Sequence, residues 1–380
     1  MLETVSLYVH IPFCRRRCPY CAFYSIDGAA NEEINEYPRL ILEEFALRSR
    51  DWRGFHLGSV YFGGGTPSLL TPRAVQEILD AIKAEFAIDS NLEVTLEANP
   101  GTIDQAKCED FIRAGINRLS LGIQALDDGR LHFLGRIHDH AEGVEALRIA
   151  RNAAGEVKVS TDLMIGTPGE NVESWDRELD ALLSYKPDGI SFYSLTLEEG
   201  TQLAERAEKG ENVYLPAETT VDLLLHIGDR LKEAGYCHYE VSNWALTGSE
   251  SRHNLHYWHR GKYLGLGPSA HSFDGKKRRW NLPILTAYRK ALGAGQLPPS
   301  ESETLSRDEV RSEWVYLSLR LGEGLDYAEY EREFGEAPGY WKVMFEKISR
   351  MGLGDFDGRR FKPNDRGLLL ADEIAARVLG

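Results

Sequence analysis

The chain has 380 residues and a formal net charge of −15, with 42% hydrophobic and 27% charged residues. That length exceeds one ordinary small domain and fits a large catalytic barrel with an appended domain, in a composition that is globular throughout. The acidic balance excludes a general nucleic-acid binder, which needs a basic face to displace counterions from phosphates, and no stretch is apolar for long enough to predict a transmembrane segment. The opening run Met1–Val9 lacks the basic start and apolar core of a signal peptide, so a cytoplasmic location is expected, in keeping with five cysteines too sparse and too odd in number for a disulfide framework.

The first predicted strand, Val5–Ile11, runs into His10-Ile-Pro-Phe-Cys-Arg-Arg-Arg-Cys-Pro-Tyr-Cys21, which sets cysteines at 14, 18 and 21. Such a loop is short enough to wrap one corner of an iron-sulfur cubane, and three thiolates on four irons leave one iron open for a further ligand. A structural zinc site wants four ligands in paired arms, and no second arm stands near. Cys108 and Cys237 are isolated and read as core residues. Arg15–Arg17 is either a solvated patch or an offset to the charge of a thiolate-ligated cluster; Lys276–Arg279 reads as solvated surface.

Further strands are predicted at Ser59–Phe62, Leu92–Ala98, Arg118–Ile123, Val157–Ile165 and Ile190–Leu195, alternating with helical spacing over 32–49, 72–86, 103–114, 140–153, 172–184 and 218–234. Thr71-Pro72 and Thr102–Asp104 have the chemistry of helix starts. Six such repeats predict an α/β fold, an open, about six-unit TIM-like β/α barrel of parallel strands with ligands at their carboxyl ends. Four motifs fall at those ends: Gly63-Gly64-Gly65-Thr66-Pro67, Glu97-Ala98-Asn99-Pro100, the Gln124 that ends Arg118-Leu-Ser-Leu-Gly-Ile-Gln, and Asp162-Leu-Met-Ile-Gly. Glycines let backbone approach a ligand, or simply make a tight turn. Each polar residue alone suits a cap or loop, whereas one at every rim position suits a shared pocket.

The cysteine loop resembles the cluster signature of radical S-adenosylmethionine (SAM) enzymes. Together with Tyr8-Val-His-Ile-Pro-Phe-Cys14 and the rim motifs, the chain is similar over nearly its whole length to the oxygen-independent coproporphyrinogen III dehydrogenase family. The resemblance implies that Cys14, Cys18 and Cys21 hold a 4Fe-4S cluster and that Tyr8, Tyr20, Gly64, Gly65, Thr66, Glu97, Gln124, Arg136 and Asp162 contact SAM. Two features depart from the dehydrogenase proper. Ala22-Phe23 follows Cys21 where that enzyme has a fourth cysteine, and only 13 residues precede Cys14 where it has a long arm. Both departures resemble the HemW-type, haem-chaperone branch, as do Tyr239–Ala245, the run His253-Asn-Leu-His-Tyr-Trp258, and Tyr263–His271.

A haem site needs an axial ligand and flat apolar surfaces, and an imidazole followed by tyrosine and tryptophan offers both. His253, Tyr257 and Trp258 are therefore candidate haem contacts, among four histidines (253, 256, 259 and 271) within 19 residues. A histidine beside aromatics equally suits hydrogen-bonded packing. Beyond residue 295, Pro298–Glu303 reads as a linker, 307–321, 326–333 and 337–351 as helices, and Phe356–Lys362 as a hairpin. The expected organisation is a radical SAM barrel over 1–240, an extension with the haem-associated segment over 241–295, and a mainly helical domain over 296–380. The function implied is a chaperone that binds the cluster, SAM and haem and passes haem to an apo-haemoprotein acceptor such as a respiratory enzyme. The alternative is the oxidative decarboxylase of porphyrinogen propionates, so enzymatic activity stays open, as do the acceptor and a homodimeric assembly.

Overall fold

Alternation along the first strand decides what each face of the sheet meets. In a computed structural model describing residues 3–380, Thr4–Ile11 buries Val5, Leu7, Val9 and Ile11 in one apolar cluster with Tyr37, Leu40 and Ile41 of the following helix, Asn31–Arg48. Ser6, Tyr8 and His10 take the opposite face, where Ser6 meets Ser59 and Tyr8 stacks near Tyr61. Met1 and Leu2, where the reading of the chain start begins, lie outside the described residues.

The strands His56–Gly64, Ala87–Ala98, Arg118–Gln124, Lys158–Ile165 and Gly189–Ser194 follow the first in spatial as in chain order, all parallel. Helices fill the crossovers, and Thr71 and Asp104 cap two of them by accepting the amides of Ala74 and Lys107. The sheet goes further than six strands. Lys262–Leu266 adds in parallel to the free side of the first strand, and His271–Phe273, Lys277–Asn281 and Ser300–Thr304 continue it antiparallel. At the other end the hairpin of Tyr236–Glu240 and Asn243–Leu246 pairs with Gly189–Ser194. The result is an open, partial barrel.

The expected linker is corrected here, because residues 300–304 form an edge strand. All five of its side chains are exposed, so it carries no apolar pattern, and it is held by backbone pairing to Lys277–Asn281 and by the Arg278–Glu303 ion pair.

Residues 249–258 close the barrel from the amino-terminal ends of its strands. Arg118 donates to the carbonyls of Ser249 and Glu250, Glu93 accepts the amides of Arg252 and His253, and Ser59 meets His253. A separate apolar core, including Val315, Trp341, Phe345, Phe361 and Ile374, joins the helices Arg307–Ser318, Tyr327–Phe334, Tyr340–Arg350 and Ala371–Leu379 to a small sheet containing the predicted hairpin. Among the described residues, no helix is long and apolar enough to cross a membrane.

Candidate functional site

Cys14, Cys18 and Cys21 are free and partly exposed on the loop leaving the first strand. Phe13–Cys14 pairs with Ile26–Asp27 and closes that loop on itself. The glycine run fits beneath it. Gly64 has φ +114°, and a Cβ there would come within 2.5 Å of the His10 ring; at Gly65 it would lie 2.6 Å from the Phe13 carbonyl oxygen and 3.0 Å from Cys14 Sγ. Only glycine allows the second strand so near the cysteine loop. Thr66 Oγ1 donates to Cys14 Sγ at 3.6 Å and Arg136 Nη1 to Cys18 Sγ at 3.4 Å. Among the described residues no three His, Cys, Asp or Glu side chains converge on a single metal ion. In an iron-sulfur cluster each thiolate binds a separate iron. Burial pushes the thiols of Cys14 and Cys21 up, so ligation must release protons.

The rim carries one half-buried acid and one half-buried cation beside this loop. Glu97 accepts the Tyr61 hydroxyl at 2.8 Å and the Gly64 amide at 3.1 Å. Arg136 donates to the Gly122 carbonyl at 2.8 Å and to Asn99 Oδ1, while its buried Nε has no partner among the described residues. That orphaned donor and the enclosed carboxylate fit an amino acid's carboxylate and ammonium groups. Gln124 adopts φ +66°, a conformation that costs a non-glycine residue about 1–3 kcal/mol, and so holds its side chain beside Gly122. Tyr8 shares a hydrogen bond with His10 Nδ1 at 3.1 Å. Tyr20 is buried against Arg136, whose charge opposes the upward push of burial on the phenol. Asp162 lies deeper in the lumen and accepts from Ser120 at 3.2 Å. Gly65, Thr66 and Arg136 thus touch the cysteine loop, Tyr8, Gly64 and Glu97 line the cavity beside it, and Asp162 lines a separate pocket with Tyr61 and Ser120.

Burial is the main cause that pushes the Glu97 carboxyl up to about 7, with the Tyr61 hydrogen bond opposing. Its folded value lies above the ordinary 4.5, so the folded state holds this proton longer than the unfolded chain does. Glu97 therefore favours folding below about pH 4.5, and that contribution is lost as pH rises through about 7. The expected result is a thermal midpoint whose fall between those values is flatter in Glu97→Gln than in the parent, read by melting curves across pH.

His253 is 1% exposed, with Nδ1 2.8 Å from Ser59 Oγ and Nε2 3.0 Å from the Tyr257 hydroxyl, and its ring stacks on Tyr61 at 4.9 Å. Burial holds this imidazole down at about 3. Both ring nitrogens are engaged, which is the packing arrangement. Trp258 lies under the Arg320 guanidinium at 5.7 Å rather than on the cavity beside the cysteine loop; Tyr257 does face that cavity.

This cavity has a volume of about 580 Å³. Tyr8, Gly64 and Glu97 of the rim form one wall, with Ala22 and Phe23 of the cysteine loop beside them. The facing wall holds Tyr263, Phe273, His271, Arg260 and Arg278, and Glu313 and Leu317 reach in from the carboxyl-terminal helices. Sequence reasoning missed most of that wall. Arg278 sat inside a basic run that reads as solvated surface, and its inward turn comes from a strand whose neighbours lack an apolar pattern.

Residues 8–182 match the Radical SAM superfamily and residues 305–370 the HemN C-terminal domain. "Heme chaperone HemW" of Mycobacterium tuberculosis (strain ATCC 25618 / H37Rv) is 35% identical, covering 100% of this chain and 95% of that protein. "Radical S-adenosyl methionine domain-containing protein 1, mitochondrial" of Mus musculus is 40% identical over 98% of this chain and 87% of its own. The solved structure of coproporphyrinogen III oxidase (HemN) from Escherichia coli superposes with a TM-score of 0.83 at 22% identity, covering 99% of this chain and 89% of that one, which speaks for the fold alone. Fold, cysteine loop and relatives agree that the chain belongs to the radical SAM superfamily, whose members use a 4Fe-4S cluster and SAM, and within it to the family of proteins named heme chaperone HemW.

Proposed function

We propose that this protein is a cytoplasmic haem chaperone that holds haem in the cavity beside its cysteine loop and passes it to an apo-haemoprotein acceptor such as a respiratory enzyme. The observation that carries the reading is the cavity itself, which has a size suited to a cofactor, aromatic walls, and a histidine and two arginines facing the cysteine loop. Cys14, Cys18 and Cys21 would hold a 4Fe-4S cluster. When bound, that cluster supplies a one-electron centre with one iron open to a further ligand. Arg136 and Glu97 would position the carboxylate and ammonium ends of SAM; Tyr8, Tyr20, Gly64, Gly65, Thr66, Gln124 and Asp162 would complete its pocket.

His271 is a better placed imidazole than His253. Partial desolvation at the cavity wall, with the Arg278 charge beside it, lowers its affinity for a proton, and no hydrogen bond occupies its ring among the described residues. Its ring stacks on Trp280 at 5.6 Å. A neutral imidazole with a free nitrogen is what an iron takes. Phe23, 69% exposed, offers an apolar face where the dehydrogenase has its fourth cysteine.

The test is anaerobic reconstitution, followed by coproporphyrinogen III with SAM and a reductant in one arm and haem titration with an apo-haemoprotein in the other. Stable haem binding, transfer, and no vinyl product are expected. Formation of the vinyl product would overturn the chaperone in favour of the dehydrogenase, and failure to bind haem would remove the reading altogether.

A further inference from the structure

Resting on the haem-site reading above, we propose that Arg260 and Arg278 recognise the two carboxylates of the tetrapyrrole, and that Glu313 is the internal carboxylate displaced when they do. Occupancy then loosens the carboxyl-terminal helices at the cavity.

The two guanidiniums come from different elements and meet at one acid. Arg260 follows the helix Arg252–Trp258 in a left-handed conformation, φ +54°, and Arg278 lies on the strand Lys277–Asn281. Glu313, on the helix Arg307–Ser318, accepts Arg260 Nε on Oε2 and Arg278 Nη2 on Oε1, each at 2.5 Å. Both cations also lie over the Phe273 ring, at 5.2 and 5.6 Å. One carboxylate thus serves two cations inside the cavity. Arg278 Nη1 has a second, more exposed partner in Glu303 at 3.1 Å, but the buried Nη2 of Arg260 has none among the described residues.

Guanidinium and carboxylate pair best in a two-point fork, and the shared acid leaves each arginine with one contact to it. A ligand with two carboxylates offers each arginine its own fork and also satisfies the orphaned Arg260 nitrogen. Glu313 can leave without remaining buried, since its side chain is already 20% exposed. The domain that carries it stays attached. The Val241 amide donates to the Arg320 carbonyl and the Gly322 amide to the Tyr239 carbonyl, both at 2.9 Å, and these backbone bonds give the helix Arg307–Ser318 a fixed point to swing about. Capturing the ligand and loosening the helix are then one exchange of carboxylates.

The experiment titrates the full chain with haem and with haem dimethyl ester, whose carboxylates are neutral, using the parent, Arg260→Gln, Arg278→Gln and Glu313→Gln, and follows amide exchange in helix 307–318 of the parent. The parent is expected to prefer haem over the ester by about 100-fold, about tenfold for each of two charge-assisted contacts, and each arginine variant to lose about tenfold of that preference. Glu313→Gln, which removes the competitor and keeps the side chain's size, is expected to bind haem more tightly than the parent. Exchange in the helix is expected to rise when haem is added. Haem that binds with the same preference over its ester in parent and arginine variants, or a helix that becomes better protected, overturns the carboxylate exchange and leaves the haem site standing. A parent that binds neither compound removes the haem-site reading itself.

Discussion

Anaerobic reconstitution of Cys18→Ser is expected to leave fewer than about one iron per chain, against about four in the parent, and to remove the cluster's visible absorption. Serine keeps the size of the side chain but not its chemistry, because a hydroxyl is a hard and far more basic ligand than the thiolate that iron-sulfur clusters take. After Cys21 the loop continues with Ala22 and Phe23, neither of which has a side chain that can ligate iron. Cys237→Ser is the control, since Cys237 is exposed on the strand Tyr236–Glu240, and its iron content is expected to match the parent. Parent-like iron in Cys18→Ser would show that this loop does not hold the metal. Because burial raises the thiols of Cys14 and Cys21, loading of the parent is also expected to fall as the reconstitution pH is lowered, protons competing with iron for the same sulfur atoms.

What could be read from the residues was whatever repeats at short range. The six strands after Thr4 were legible because their alternate side chains are large and apolar on the helix side, and Thr71 and Asp104 announced their helices by local capping chemistry. Gly64, Gly65, Glu97 and Gln124 were legible as a group since each ends a strand, and parallel strands present their ends together. The seventh parallel strand, Lys262–Leu266, was not seen, for its Gly265 breaks the apolar run and a Cβ there would meet the His271 carbonyl oxygen at 2.0 Å. The strand at Ser300–Thr304 has no buried side chain at all, so nothing in its sequence distinguishes it from a linker. The arginines of the cavity were hidden for another reason. Their partner Glu313 is 53 residues from Arg260 and 35 from Arg278, and a pairing across that separation leaves no local periodicity.

The same distinction separates two histidines that look alike in sequence. His271→Ala is expected to weaken haem binding by about 10- to 100-fold and to change the ligand-sensitive part of the haem spectrum, an effect of the order seen when a metal site loses a supporting contact, while the fold is retained. The side chain is exposed, and removing it leaves no buried group without a partner. His253→Ala reverses that pattern. Its ring joins Ser59, brought from 194 residues away, to Tyr257 on its own helix, so truncation leaves the Tyr257 hydroxyl without its partner, leaves Ser59 only its bond to Ser6, and opens a space against Tyr61. The expected outcome is a loss of about 1–3 kcal/mol in folding stability, with a haem spectrum unchanged in any protein that remains folded. Exchanging the two results, so that His253→Ala alone altered the haem spectrum at parent-like stability, would return the axial position to the segment His253–Trp258 and require this plug of the barrel to open before iron could reach it.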